Sequence, residues 1–201
     1  PNRPGTKLTA LKGLVFHYTA NANPSATALM NAKYFGRAWK KGADGKPCEA
    51  NGTTPWGYGS AQVIADKDGV VLAMPPNEAA WAVGDSHLKL PSGKLGQQAL
   101  AKNIFGNRQN YFTTSIEVCN NADWEAAVHN AMEWAATYLK DNNLVIDVEG
   151  SKDPQNLQAL EPGKILILRH YDLTGKICPK PLVDDSAAWL TFIDDLNALI
   201  A

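Results

Sequence analysis

Two histidines and one cysteine carry the first chemistry legible in this 201-residue chain. His17 sits in the apolar run Leu14-Val15-Phe16-His17-Tyr18, and His170 follows the run Ile165-Leu166-Ile167-Leu168 through Arg169. Behind His170 comes Tyr171-Asp172-Leu173-Thr174-Gly175-Lys176-Ile177-Cys178-Pro179, a turn-rich segment able to swing Cys178 back beside the imidazole. Two imidazoles, one thiolate and one open position suit a catalytic Zn²⁺ whose fourth site is left to water. Such an ion lowers the pKa of its water to about 7 and so supplies hydroxide at neutral pH. Hydrolysis of that kind also needs a carboxylate that takes and returns protons. Glu117, mid-strand in Thr114-Ser115-Ile116-Glu117-Val118-Cys119, is the candidate. Strand alternation puts Glu117 and Cys119 on one side, Ile116 and Val118 on the other. Taken singly, each residue also has a plain reading: a His or Cys packed in a core, a Glu on a half-exposed strand.

The elements that must position these residues alternate between strand and helix. The runs at 14–18, 113–119 and 165–168 read as strands, the first entered through Gly13. Ser60 to Ala65 and Val70 to Met74, joined by Asp66-Lys67-Asp68-Gly69, make a β-hairpin with a four-residue loop. Helices are expected from Ala26 to Trp39, with Ser25 as N-cap, from Asp123 to Lys140, and from Ser186 to Ile200. In the second, Trp124, Ala127, Val128, Ala131, Ala135, Tyr138 and Leu139 form one apolar stripe. Interleaved strands and helices predict an α/β fold, a central mixed β-sheet flanked by helices, in one domain over 1–201. The Gly/Pro/Asn-rich segment 36–59 is long for an ordered loop, which marks it as functional or as an insertion.

Composition narrows the function further. Apolar residues make up 45% and charged residues 19%, enough to bury a core and too few charges for a disordered chain. Nineteen basic against twenty acidic residues argue against a nucleic-acid partner, which usually meets a basic excess. That balance also gives little electrostatic help in reaching an anionic surface. No run is long enough to span a membrane, and the opening Pro1-Asn2-Arg3-Pro4-Gly5 lacks the apolar region of a signal peptide. An odd count of three cysteines does not make a disulfide framework. Cys119 reads as a buried packing thiol, and Cys48 has no evident use. His129, among Glu125, Asn130 and Glu133, reads as solvated, and His87 as a surface residue. Trp39, Trp56 and Tyr58 fit either stacking at a groove rim or core packing.

Four segments together resemble a known family: Gly13-Leu14-Val15-Phe16-His17-Tyr18-Thr19-Ala20-Asn21, Ser60-Ala61-Gln62-Val63-Ile64, Ser115-Ile116-Glu117-Val118-Cys119, and Arg169 through Pro179. They are similar to the zinc-dependent N-acetylmuramoyl-L-alanine amidases of the type-2 amidase and peptidoglycan recognition protein superfamily, especially catalytic domains of phage endolysins and autolysins. The resemblance implies His17, His170 and Cys178 as zinc ligands, Glu117 as catalytic carboxylate and Lys176 as a lysine beside the developing oxyanion. It implies substrate contacts from Tyr18, Asn21, Trp81 and Thr174. The expected reaction is hydrolysis of the amide between N-acetylmuramate and L-alanine in bacterial peptidoglycan, with zinc-activated water attacking and Glu117 as general base and acid. An endolysin would be released from the host cytoplasm to the wall, and an autolysin would act outside the cell. Attachment to the wall would then come either from groove contacts or from a separate wall-binding domain beyond Ala201. Ala61 or Gln62 stands where some members carry a tyrosine near the zinc, and Ala82 where many have a histidine. Two other readings stand beside it: a peptidoglycan-binding module of the same fold without hydrolysis, and a different zinc hydrolase such as an anhydro-muropeptide amidase of wall recycling or a peptidase. Cys178, usually missing from the pure recognition proteins, favours an enzyme.

Overall fold

Buried apolar strands form the middle of a mixed sheet, and their far ends are where the chemistry-bearing residues emerge. The computed structural model describes residues 3–36, 59–84 and 98–201 in full, and the backbone alone of 39–41, 47–49, 88–89 and 95–96. In chain order the strands are β1 (Gly13–Tyr18), β2 (Trp39–Lys41), β3 (Pro47–Glu49), β4 (Val63–Asp66), β5 (Gly69–Leu72), β6 (Leu88–Lys89), β7 (Leu95–Gly96), β8 (Thr113–Val118), β9 (Val145–Ile146) and β10 (Lys164–Arg169). The helices are α1 (Ala28–Phe35), α2 (Ala99–Phe105), α3 (Trp124–Asp141), α4 (Val148–Lys152), α5 (His170–Thr174), α6 (Lys180–Asp184) and α7 (Ser186–Ile200). Six strands form the main sheet in the order β5-β4-β8-β1-β10-β9, while β2–β3 and β6–β7 are separate two-stranded pairs. Only β4–β5 is antiparallel within the main sheet; β4–β8, β8–β1, β1–β10 and β10–β9 are parallel.

Alternation along each strand sorts the side chains onto two faces. Leu14, Phe16, Ile116, Val118, Ile165 and Ile167 pack with α3 and α7, around Ala131, Ala135, Leu139, Trp189, Phe192 and Ile193. Val15, Leu166 and Leu168 point the other way, into a smaller core with Leu100, Ile104 and Phe105 of α2 and Leu173 of α5. On that same second face α1 covers Ile64 and Cys119 through Ala28, with Phe35 packed alongside. The expected α/β architecture is present. Among the described residues Trp189 is the largest fully buried side chain, stacked on Phe192 at 5.4 Å with its indole N–H donating to the Ser151 carbonyl. Trp189→Ala should cost about 3–5 kcal/mol, read as a lower urea midpoint at unchanged slope.

Several boundaries differ from the sequence expectation, each for a local reason. The first helix runs from Ala28 to Phe35 rather than from Ala26 to Trp39, capped at its end by Gly36, and Thr27 is its N-cap, accepting from the Met30 amide. Ser25 is not available for that role, because its amide and hydroxyl both donate to Asn23 Oδ1. The hairpin loop has two residues, since Asp66 and Gly69 are themselves paired, and Gly69 takes φ +142°, a value costly for any side chain. The strand expected over 165–168 runs from Lys164 to Arg169, and His170 directly after it is the first residue of α5. Asp123 and Asp185 cap α3 and α7, whose extents match the apolar stripes closely. Among the described residues, no helix is long and apolar enough to cross a membrane.

Candidate active site

Three adjacent parallel strands deliver the site at their carboxyl ends, the usual position for binding residues in sheets of this kind. β1 and β8 pair with His17 directly opposite Glu117, and β1 and β10 pair with Phe16 opposite Arg169. One step further along, His17 and His170 therefore meet, their rings 4.7 Å apart and edge-on. His170 is held there by the start of α5, where Asp172 accepts from the Arg169 amide and from its guanidinium in a fork. Arg169 also donates to the Leu182 carbonyl. The segment after α5 turns through Gly175, in the left-handed region at φ +77°, and folds back so that the Tyr171 amide donates to the Cys178 carbonyl. Cys178 Sγ then lies 3.9 Å from His17 Nδ1.

His17, His170 and Cys178 are all buried, and one ligand atom from each lies within 4.8 Å of the others. These residues could close on a single metal ion. Their chemistry fits the purpose: two nitrogens and one sulfur are zinc-type donors, and three of them leave a position open. Burial, together with the charges of His170 and Lys176, holds His17 well below its ordinary pKa, so its imidazole is neutral and keeps a lone pair. His17 Nε2 has no hydrogen-bond partner among the described residues. Burial and the Glu117 carboxylate push the Cys178 thiol up to about 12, while the Tyr18 amide and Lys176 oppose them. A cation beside the sulfur reverses that balance, because a coordinating thiol is deprotonated outright.

Glu117 shares the site from the neighbouring strand. Its Oε2 is buried without a hydrogen-bond partner among the described residues. Burial pushes the carboxyl up to about 7, against the pull of the Lys176 ammonium. Lys176 is half-buried on the same groove wall. The groove itself encloses about 820 Å³ and is lined by His17, Tyr18, Glu117, His170, Lys176 and Cys178 at its reactive end. Trp81, Ile177 and Tyr34 bring apolar surface to it, with Trp81 38% exposed.

Other expected positions fall differently. Tyr18 and Trp81 line the groove, but Asn21 and Thr174 do not. Asn21 is tied down at the surface, its amide donating to Asn120 Oδ1 and its own Oδ1 accepting from the Asn23 amide. Thr174 is wholly buried, with its hydroxyl donating to the His170 carbonyl and accepting from the Lys176 amide. It therefore braces the loop between two site residues instead of facing a ligand. Gln62 is also fully buried, bridging the Glu78 carbonyl and the Ser115 amide across β4 and β8. Cys119 packs in the core and accepts from Asn31, and His129 is exposed beside Glu133, both as expected. The side chains of Trp39 and Cys48, and Trp56, Tyr58 and His87 entirely, lie outside the described residues. Asn31, Tyr34, Phe35 and Asn110 line the groove without having been singled out from the sequence. The adjacent aromatics Tyr34-Phe35 were a usable signal; Asn110 offered none.

Residues 7–181 match the family described as N-acetylmuramoyl-L-alanine amidase. The chain belongs to that amidase family. Among curated members, it is 30% identical over 204 residues to the N-acetylmuramoyl-L-alanine amidase CwlL of Bacillus licheniformis, covering 98% of this chain and 44% of the relative. It is 28% identical over 198 residues to BlyA of Bacillus subtilis, again covering 98% and 44%. The chain thus spans less than half the length of these curated amidases. In three dimensions it resembles the catalytic domain of XlyA, with a TM-score of 0.60 and 24% identity over 96% of this chain and 91% of that one. That likeness places the six-stranded sheet and its helices within the amidase fold.

Proposed function

We propose that residues 1–201 form a catalytic domain that hydrolyses the amide between N-acetylmuramate and the L-alanine of peptidoglycan, with zinc as its cofactor. The observation that carries this reading is the buried His17, His170 and Cys178 trio at one end of an open groove, with the Glu117 carboxylate on the neighbouring strand, its Oε2 buried and without a hydrogen-bond partner among the described residues. Membership of the amidase family supports the bond chosen.

His17, His170 and Cys178 would hold the ion, which when bound supplies Lewis acidity toward an amide carbonyl and toward water. Glu117 does the proton work. Its carboxylate takes a proton from the attacking water, and the carboxylic acid so formed hands that proton to the departing L-alanine amine as the C–N bond breaks. A carboxyl that burial raises from its ordinary range is a better proton donor to the leaving amine than a solvated carboxylate. Lys176 keeps a positive charge on the same wall, where it stabilises the oxyanion that develops on the carbonyl. Tyr18 and Trp81 contact the bound wall fragment along the groove.

Digestion of purified peptidoglycan tests the reading. Mass spectrometry should show unsubstituted L-alanine N-termini on the released peptides and intact N-acetylmuramate on the glycan. Cleavage at another bond, or no release by the zinc-loaded chain, would overturn it. Binding to the wall without release would favour a recognition module instead.

A further inference from the structure

Trp81 is held far more firmly than a groove-side loop residue requires. Its amide donates to Ser60 Oγ at 2.9 Å, and its carbonyl accepts from the Ser60 amide at 3.2 Å. The next two amides, of Ala82 and Val83, both donate to one acceptor, Asn110 Oδ1, at 3.3 and 2.9 Å. The Val83 carbonyl accepts from the side chain of Gln109 at 2.7 Å, and Gln109 is buried. Val83 itself is wholly buried in the core formed by Val15, Leu100 and Leu166. The ring is fixed as well as the backbone: Trp81 stands edge-on to Tyr111 at 6.1 Å, and the Arg108 guanidinium lies over Tyr111 at 4.8 Å. A large side chain left 38% exposed, on a backbone hydrogen-bonded at three successive residues, is the arrangement expected of a binding platform. Ordering a loop when ligand arrives costs affinity, and a loop already ordered avoids that cost.

We infer that Asn110 is a positioning residue, which fixes the 81–83 segment so that Trp81 meets the substrate in a set orientation. This rests on the amidase reading above for the identity of that substrate. Asn110 suits the role because one carbonyl oxygen with two lone pairs can take two consecutive backbone amides. It also lines the groove, so the brace and the platform belong to the same wall. Asp keeps the acceptor at that position and Ala removes it.

The experiment compares the zinc-loaded wild type with Asn110→Ala and Asn110→Asp, using a soluble N-acetylmuramoyl peptide and amide hydrogen exchange. In Asn110→Ala, exchange at Ala82 and Val83 should quicken about tenfold or more while the β1 and β10 amides stay protected. KM should rise about tenfold with kcat little changed, as for loss of binding that ground and transition states share. Asn110→Asp should restore both. Unchanged exchange at 82–83 in the alanine variant overturns the brace, whether or not the chain has activity. Faster exchange with KM unaltered overturns the positioning role, as does a fall in kcat alone or a lack of rescue by Asp. Failure of the wild type to cleave overturns the amidase reading instead, and the exchange measurement still decides the brace.

Discussion

Replacing Glu117 with Gln should lower amide hydrolysis by about 10²-fold or more while leaving the metal content of the purified chain unchanged. The amide keeps the size and shape of the carboxyl but cannot take a proton from water at neutral pH. His17, His170 and Cys178 are untouched by the change, so a loss of zinc in the variant would mean that Glu117 helps hold the ion. A second reading separates chemistry from folding. Burial raises the Glu117 pKa from 4.5 to about 7 in the folded chain. Between those values the native state binds more protons than the unfolded one, so this group's contribution to stability falls as pH rises. In metal-free protein, Glu117→Gln should therefore be more stable than the wild type at pH 8, with the difference shrinking toward pH 4. An inactive variant of equal or greater stability isolates the catalytic role. Activity at the parental rate removes Glu117 from the mechanism.

What made the site legible in the sequence was the contrast between residue and surroundings. A histidine inside Leu14-Val15-Phe16-His17-Tyr18 and a glutamate between Ile116 and Val118 stand out because such strands are otherwise apolar. Strand alternation then places Glu117 opposite to Ile116 and Val118, and the parallel register sets it against His17. The long helices α3 and α7 were legible for a similar reason, since over four or five turns an apolar stripe outweighs individual exceptions. Short elements lack that averaging. The helices α2, α4 and α6 run only five to seven residues, and tertiary contacts rather than periodicity define them. The start of α1 depended on a competition at Asn23, whose side chain captures Ser25 before Ser25 can cap anything. Thr174 shows the limit of carrying a role along a motif. It lies within two residues of Lys176, yet the turn at Gly175 sends its hydroxyl inward to the His170 carbonyl. Asn110 was invisible for a different reason: its partners, the amides of Ala82 and Val83, are 28 and 27 residues away and carry no side-chain signature.

Cys178→Ser should abolish tight zinc binding, and with it most of the hydrolysis. A serine hydroxyl is a harder and far less acidic donor than a thiol, and it does not become an anion under the same cation. The loss should be plain in metal content, with about one zinc per wild-type chain and little in the variant after dialysis. Stability offers an independent readout. A ligand that binds only the folded chain stabilises it by about 2.7 kcal/mol at a hundredfold excess over its Kd. Zinc should therefore raise the melting temperature of metal-free wild type and leave Cys178→Ser where it was, and chelation should reverse the rise. The same comparison for Cys119→Ser provides the control, because Cys119 packs among Ala28 and Ile64 and is not one of the three clustered donors. That variant should lose packing energy but keep its zinc response. Equal zinc content in Cys178→Ser and wild type, or a wild-type melting temperature indifferent to zinc, would remove the thiolate from the site. The chemistry of the groove would then have to be rebuilt around His17, His170 and Glu117 alone.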